Sequence, residues 1–212
     1  MSDYPQILYH FIVGFTMAFI GLMSPGLLTM TTLNTAIDRG AKNAVKFAFG
    51  AIIPIFIQAH LALLGANYIK AHPQIITSFS KIAVIVFFIL ALIFFKQFRQ
   101  RKLVIKTPRF NINNSFLYGL FISAINPLAI PFYFTYSTLL ELKAWLKIEE
   151  PYISAFVVGA VLGAFAILNI YAKNAPKLLG KLQFIARNFK LILALIMLAL
   201  SLLSLFNVLR TT

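Results

Sequence analysis

Proline, glycine and short polar residues interrupt two of the most apolar stretches of this 212-residue chain. The first interruption is Ser24-Pro25-Gly26, and the second is Asn126-Pro127. Proline has no amide N–H and glycine accepts unusual dihedral angles, so a helix bends or ends at such residues. A helix that restarts there presents free N–H groups and a positive dipole end to an anionic group. We therefore predict that these five residues bind a substrate, although prolines in apolar helices also serve packing alone.

Threonines follow the first break at helical spacing. Thr29, Thr32 and Thr35 share one face of a helix at intervals of three residues. Their hydroxyls can line a hydrophilic path, or they can donate to carbonyls of their own helix. Because Thr29 is nearest to the break, it joins the predicted substrate-binding residues.

Ionisable residues are rare within the apolar stretches, and His60 is the clearest case. A neutral imidazole bonded to a neighbour is one interpretation. The other is proton coupling, because imidazole gains or loses a proton near neutral pH. His10 and His72 lie near the ends of apolar stretches, where we expect them at the membrane interface.

Catalytic and metal-binding chemistry has little support in the sequence. The chain has no cysteine, three histidines and five acidic residues, mostly in loops. These give neither zinc-ligand spacing nor a nucleophile–base pair, and no glycine-rich phosphate loop is present. We therefore expect no enzyme activity, no catalytic residue, no metal site and no cofactor. The net charge of +14 is assigned to cytoplasmic loops rather than to nucleic-acid binding, because such loops are basic in membrane proteins.

The elements that position these residues are membrane helices. The chain is 60% hydrophobic and only 11% charged, with a mean hydropathy of +0.88, whereas soluble domains are about a quarter charged. We predict an all-α protein whose main partner is the lipid bilayer. Six apolar segments are predicted to span it: 7–37, 43–69, 77–98, 116–140, 152–172 and 188–209. The first would be about 46 Å long as one helix, against a bilayer core of about 30 Å, so we expect it to be broken.

Basic residues indicate the orientation of these segments. Of the 19 Lys and Arg residues, 14 follow the first, third and fifth segments. The positive-inside rule places those linkers in the cytoplasm and both termini outside it. We accordingly expect a multi-pass protein of the inner (plasma) membrane.

The polar linker 99–115 divides the single domain, 1–212, into halves 1–98 and 116–212. Each half has three segments, so the second enters the membrane inverted, as in 3+3 inverted-repeat transporters. In that arrangement segments one and four are the broken helices. The sequences GAIIPIF (50–56) and GAVLGAF (159–165) resemble each other across the halves. Such small-residue faces also suit close helix packing or a homodimer.

Two longer stretches resemble the lysine exporter (LysE/RhtB) translocator family. They are GLMSPGLLTM with the following DRGAKNAVKFAFGAIIP (21–30 and 38–54), and FLYGLFISAINPLAIPFYFTY (116–136). The resemblance implies six spans and export of amino acids or similar small metabolites, driven by the proton or another ion gradient. Carried over by position, it selects Pro25, Gly26, Gly40, Gly50, Gly119, Asn126 and Pro127, of which the three later glycines are assigned structural roles.

Two positions depart from the family pattern. Leu27 stands where the family has a second proline, and Leu128 stands where a lysine often follows Asn-Pro. This chain therefore lacks a positive charge near the presumed carboxylate-binding region. For that reason we expect the substrate to be either an amino acid or a related small metabolite. A non-transporting membrane scaffold or assembly subunit is the main alternative function. A metal-cation exporter of the same superfamily is a further one, which the lack of cysteines and of mid-membrane carboxylates disfavours.

Overall fold

The computed structural model of the chain describes residues 4–71, 88–89, 91–92, 95–96 and 112–210, with side chains beyond 178 described only in part. Within these residues the fold is helical and has no β-strand. The main helices are α1 (Tyr4–Gly21), α2 (Leu27–Arg39), α3 (Ala41–Ala71), α4 (Ser115–Ala124), α5 (Ala129–Leu142) and α6 (Tyr152–Arg210).

Among the described residues, two helical stretches are long and apolar enough to cross a membrane, namely Ala41–Tyr68 of α3 and Tyr152–Leu178 of α6. A third results if α4 and α5, which meet at a 58° bend, form one span. Large apolar side chains on these helices are exposed, as expected of a lipid-facing surface. The predicted segment 77–98 and linker 99–115 lie mostly outside the described residues, so the six-span arrangement stays a prediction.

Helix α6 continues through residues 173–187, where the sequence suggested a linker. Its backbone bends at Asn174 (φ −113°, ψ 18°), two residues before Pro176 inside the helix. Proline removes one helical hydrogen bond and kinks a helix. The surrounding lysines and leucines favour helix, so α6 consists of two helical stretches joined at a kink, which lies two residues after the predicted end of the fifth segment at residue 172.

Contacts within the chain define two compact units. The first comprises Met1–Asn67 and Lys106–Lys181, and the second comprises Tyr68–Ile105 and Leu182–Thr212. Every predicted site residue belongs to the first unit, whose core includes fully buried Phe47, Leu63 and Phe156.

Helices α1 and α6 cross in backbone contact within this unit. A Cβ atom on Gly14 would overlap the carbonyl oxygen of Phe156, and one on Gly159 would overlap that of Phe11. The contact is reciprocal, because each glycine receives the carbonyl of the other helix. Only glycine permits backbones to approach so closely.

Helices α3 and α4 cross in the same manner. A Cβ atom on Gly50 would overlap the Phe116 carbonyl oxygen, and one on Gly119 would overlap that of Phe47. At Gly14, Gly50, Gly119 and Gly159, the glycine stands three residues after a phenylalanine of its own helix, and the carbonyl of that phenylalanine contacts the glycine of the opposite helix. The same Phe-x-x-Gly pattern therefore occurs four times, at 11–14, 47–50, 116–119 and 156–159. Gly163 adds a contact with the Phe15 carbonyl oxygen to the α1–α6 crossing without following this pattern.

Gly40 has a different role, at the end of α2. Its φ of +85° is a conformation that residues with a Cβ rarely adopt, and its N–H donates to the Ala36 carbonyl. It ends α2 and lets α3 begin at the next residue.

His10 is buried within the protein, and its position at the membrane interface stays a prediction. Its Nδ1 lies 2.6 Å from the Gln6 carbonyl oxygen, and its Nε2 accepts from the Lys147 backbone N–H at 2.9 Å. The ring also stacks on Tyr152, with 4.7 Å between centroids. These bonds attach the α5–α6 loop to α1 and assign the proton of the neutral ring to Nδ1. His72 lies outside the described residues.

Candidate solute site at two helix breaks

The first break separates α1 from α2 and contains the predicted residues Ser24, Pro25 and Gly26. Helical hydrogen bonding stops at Gly21, so the carbonyls that follow need other partners. The Ser24 hydroxyl donates to the Gly21 carbonyl at 2.9 Å, and Thr29 Oγ1 lies 3.0 Å from the Leu22 oxygen and 3.3 Å from the Ser24 oxygen. The Thr29 side chain therefore stabilises the break, and its role in binding a substrate stays a prediction.

Helix α6 supplies a further bond to this break. The Tyr171 hydroxyl donates to the Met23 carbonyl oxygen at 2.9 Å. Tyr171 is absent from the residues predicted from the sequence. A tyrosine hydroxyl within an apolar segment, twelve residues after Gly159, could have indicated it.

The N-terminus of α2 lies directly after the break. Gly26 is its N-cap residue in an extended conformation (φ −116°, ψ −171°), and no side chain caps the helix. The hydroxyls of Thr31 and Thr32 donate to the Leu27 and Leu28 carbonyls, at 2.7 and 2.8 Å. Of the three threonines on the predicted face, Thr32 thus bonds within its own helix, whereas Thr29 bonds to carbonyls of the break. First-turn N–H groups of α2 remain without a side-chain cap.

The second break, between α4 and α5, contains Asn126 and Pro127. The Asn126 Oδ1 accepts from the Leu128 N–H at 3.3 Å, which is a turn typical of asparagine. Leu128 is the N-cap residue of α5, and no side chain caps this helix either. Both departures from the family pattern, Leu27 and Leu128, therefore lie where a helix restarts.

Gln58 of α3 holds the carbonyls that precede the second break. Its Nε2 donates to the Ser123 carbonyl at 3.1 Å and to the Ala124 carbonyl at 3.2 Å. Gln58 is absent from the predicted site residues, although an amide within an apolar segment was a visible signal. It lies two residues before His60, on which the prediction concentrated.

The two breaks have equivalent supports. Tyr171, which holds the first break, is on α6, and α6 is the glycine partner of α1. Gln58, which holds the second break, is on α3, and α3 is the glycine partner of α4. In each case the helix that crosses the broken one also stabilises its break.

The breaks also adjoin each other. The Phe132 ring, in the first turn of α5, lies so close to Gly21 that a Cβ there would be 2.5 Å from its Cζ. Gly21 is the last residue of α1, so this contact joins the end of α1 to the start of α5. The helix that precedes the first break therefore contacts the helix that follows the second break.

His60 lies on α3 near this region. Its ring stacks on Phe56 with centroids 6.1 Å apart, and its buried Nδ1 has no partner among the described residues. Asn169 Oδ1 on α6 is likewise buried without a partner there. His60 follows Gly50 by ten residues, and Asn169 follows Gly159 by ten, so the two occupy corresponding positions relative to the crossings.

Comparison with known protein families gives a match that covers both breaks described above. A model of the LysE type translocator family matches residues 19–207, which include both breaks and both glycine crossings except the α1 side of one. The chain belongs to the LysE type translocator family. No curated protein and no solved structure matches it. Membership makes this LysE-type chain a protein of a transporter family rather than of an enzyme family, and agrees with its apolar helices in indicating a multi-pass membrane protein.

Proposed function

We propose that this LysE-type translocator exports amino acids or related small metabolites across the inner membrane, driven by an ion gradient. The observation that carries the proposal is the pair of adjoining breaks, each followed by a helix without a side-chain cap. Broken helices at the interface of two repeats are the usual substrate sites of secondary transporters.

The chemistry of each break suits an anionic group of a small solute. The uncapped first turns of α2 and α5 offer N–H groups and the positive ends of two helix dipoles. Ser24 to Gly26, Thr29, Asn126 and Pro127 shape these turns. A carboxylate is the simplest group that such N–H donors would bind.

The four Phe-x-x-Gly sites support the proposed 3+3 inverted repeat. Under that repeat, segment one corresponds to segment four, and segment two corresponds to segment five. The crossings pair segment one with five and segment two with four, as a two-fold relation between the halves requires. The proposal places both termini outside the cytoplasm, and reporter fusions at residues 1 and 212 test that orientation.

For coupling, His60 is the candidate, because its Nδ1 is buried without a partner in the described residues. An imidazole nitrogen that forms no hydrogen bond within the protein is available for proton transfer during transport. We expect His60→Gln to retain binding of the solute while efflux loses its dependence on the proton gradient. Efflux from His60→Gln that still collapses with the gradient would assign coupling to another group.

The principal test is an efflux assay in cells that overproduce the protein. Cells loaded with dipeptide mixtures release amino acids, and each amino acid outside the cell is quantified. We expect selective efflux from the wild type that is lost in Pro25→Ala and in Asn126→Ala. Pro5→Ala is the control, because Pro5 is exposed in the first turn of α1, at the opposite end of that helix from the first break.

Two results would contradict the proposal. Efflux at the wild-type rate by well-folded Pro25→Ala and Asn126→Ala would remove the breaks from the site. Absence of efflux for every amino acid by well-folded wild type would favour another solute or the scaffold alternative.

A further inference from the structure

Ser123, in the last turn of α4, has an unusual hydroxyl. It is fully buried, and its Oγ has no partner among the described residues. Six other hydroxyls near the breaks donate to backbone carbonyls, namely those of Ser24, Thr29, Thr31, Thr32, Ser137 and Thr138. A buried hydroxyl that forgoes such a bond lowers stability, so a ligand that it contacts is a physical reason for its presence.

Gln58 presents a second polar atom of this kind at the same place. Its Nε2 faces the carbonyls of Ser123 and Ala124, so exchanging its oxygen and nitrogen would set an acceptor against two acceptors. The orientation of the amide is therefore fixed. Its Oε1 is buried without a partner in the described chain, and the residue is only 8% exposed.

The local electrostatics favour a positively charged donor. The atoms belong to, or contact, the C-terminal end of α4, where the helix dipole is negative. Gln58 Oε1 can only accept a hydrogen bond, and Ser123 Oγ can accept one. An ammonium group has three N–H donors and a charge that this end of the helix stabilises.

We propose that Gln58 Oε1 and Ser123 Oγ bind the primary ammonium group of the transported solute. This inference rests on the proposed function and narrows its substrate class. The uncapped N-terminus of α5, five residues after Ala124, is on the other side of the break and suits a carboxylate. One break thus offers complementary groups for both ends of a zwitterion, which selects α-amino acids over α-hydroxy and α-keto acids.

The test combines binding and transport for Ser123→Ala. Purified protein in lipid nanodiscs is equilibrated with an equimolar mixture of L-amino acids and the corresponding α-hydroxy acids, and retained solutes are quantified by mass spectrometry. We expect the wild type to retain amino acids selectively. Loss of a hydrogen bond to a charged group should weaken their retention by Ser123→Ala about tenfold or more.

Ser137→Ala is the matched control. Ser137 is equally buried, but its hydroxyl donates to the Phe134 carbonyl within α5. We expect its solute retention to equal that of the wild type. Thermal stability of Ser123→Ala should equal or exceed that of the wild type, because the hydroxyl removed has no protein partner in the described residues.

The outcomes separate this inference from the proposed function. Equal retention of α-hydroxy acids, unchanged retention by Ser123→Ala, or no retained amino acid at millimolar concentration would overturn the ammonium site. Unchanged retention with lowered thermal stability of Ser123→Ala would show that Ser123 binds only internal water. Transport is measured separately in proteoliposomes. Solute retention that depends on Ser123, without transport, would support the ammonium site and contradict the proposed exporter. Transport of amino acids at the same rate by wild type and Ser123→Ala would support the exporter and contradict the ammonium site.

Discussion

Replacing Gly50 by alanine tests the backbone contact between α3 and α4. The added Cβ would overlap the Phe116 carbonyl oxygen and lie 2.8 Å from its carbon and 2.9 Å from the Leu120 nitrogen. Real Cβ atoms essentially never approach backbone atoms within 3.0 Å. The neighbouring atoms belong to the backbone and cannot rotate away, so the two helices must separate by on the order of 1 Å.

That separation determines the magnitude. A gap of about 0.5–1 Å forfeits a quarter to a half of each dispersion contact along the crossing, and overpacking of this kind typically costs about 1–3 kcal/mol. For a chain of this size we expect the midpoint of thermal unfolding of Gly50→Ala to fall by about 4–8 °C for about 2 kcal/mol. Gly65→Ala is the control in the same helix, because its nearest neighbouring atom is 4.0 Å away.

A double variant makes the test sharper. Once Gly50→Ala has separated the helices, a second methyl at Gly119 enters space already opened at the same crossing. We expect Gly50→Ala with Gly119→Ala to lower the midpoint by less than the sum of the single changes, whereas Gly50→Ala with Gly14→Ala should be additive. The midpoint of thermal unfolding is measured for the wild type and for every variant in the same detergent, after each protein has been confirmed as monodisperse. Gly50→Ala as stable as Gly65→Ala, or additivity in both doubles, would refute the crossing geometry.

Three further changes test the bonds that stabilise the breaks and the loop. Tyr171→Phe removes the donor to the Met23 carbonyl and should lower stability by about 1–3 kcal/mol and slow efflux, with stability and efflux measured on the same preparation. Thr29→Val should have a comparable effect, and Thr29→Ser, which keeps the hydroxyl, should restore stability. His10→Leu removes the acceptor for the Lys147 N–H and should increase proteolytic cleavage of the α5–α6 loop; wild-type resistance to protease would contradict its anchoring role.

Local chemistry made the breaks predictable. Pro25-Gly26 and Asn126-Pro127 interrupt helices through properties of single residues, and the structure separates α1 from α2 and α4 from α5 at those points. Apolar composition likewise indicated helices of membrane type. Helix beyond the kink in α6 was harder to predict, because the basic and apolar residues at 177–187 fit a solvated linker as well as an interfacial segment, even though they favour helix.

Contacts between distant segments were harder to predict. Gln58 and Tyr171 are polar residues within apolar spans, but their carbonyl partners lie 65 or more residues away. His10 looked interfacial because it is near a segment end, and only the folded loop shows that Lys147 bonds to it. The four Phe-x-x-Gly sites could have been found as a recurrence, whereas their pairing requires the fold.

The glycine crossings also join four helices into two pairs. Because their backbones are in direct contact, α1 and α6 form one pair of helices, and α3 and α4 form another. Tyr171 bonds the first break to the first pair, and Gln58 bonds the second break to the second pair. A movement of one pair relative to the other would therefore leave both hydrogen bonds intact. The pairs contact each other through side chains, where Phe49 packs against Phe165 and where the tip of the Phe132 ring, on the helix that follows α4, meets Gly21. We therefore expect any movement of helices during transport to occur between the two pairs rather than within either of them.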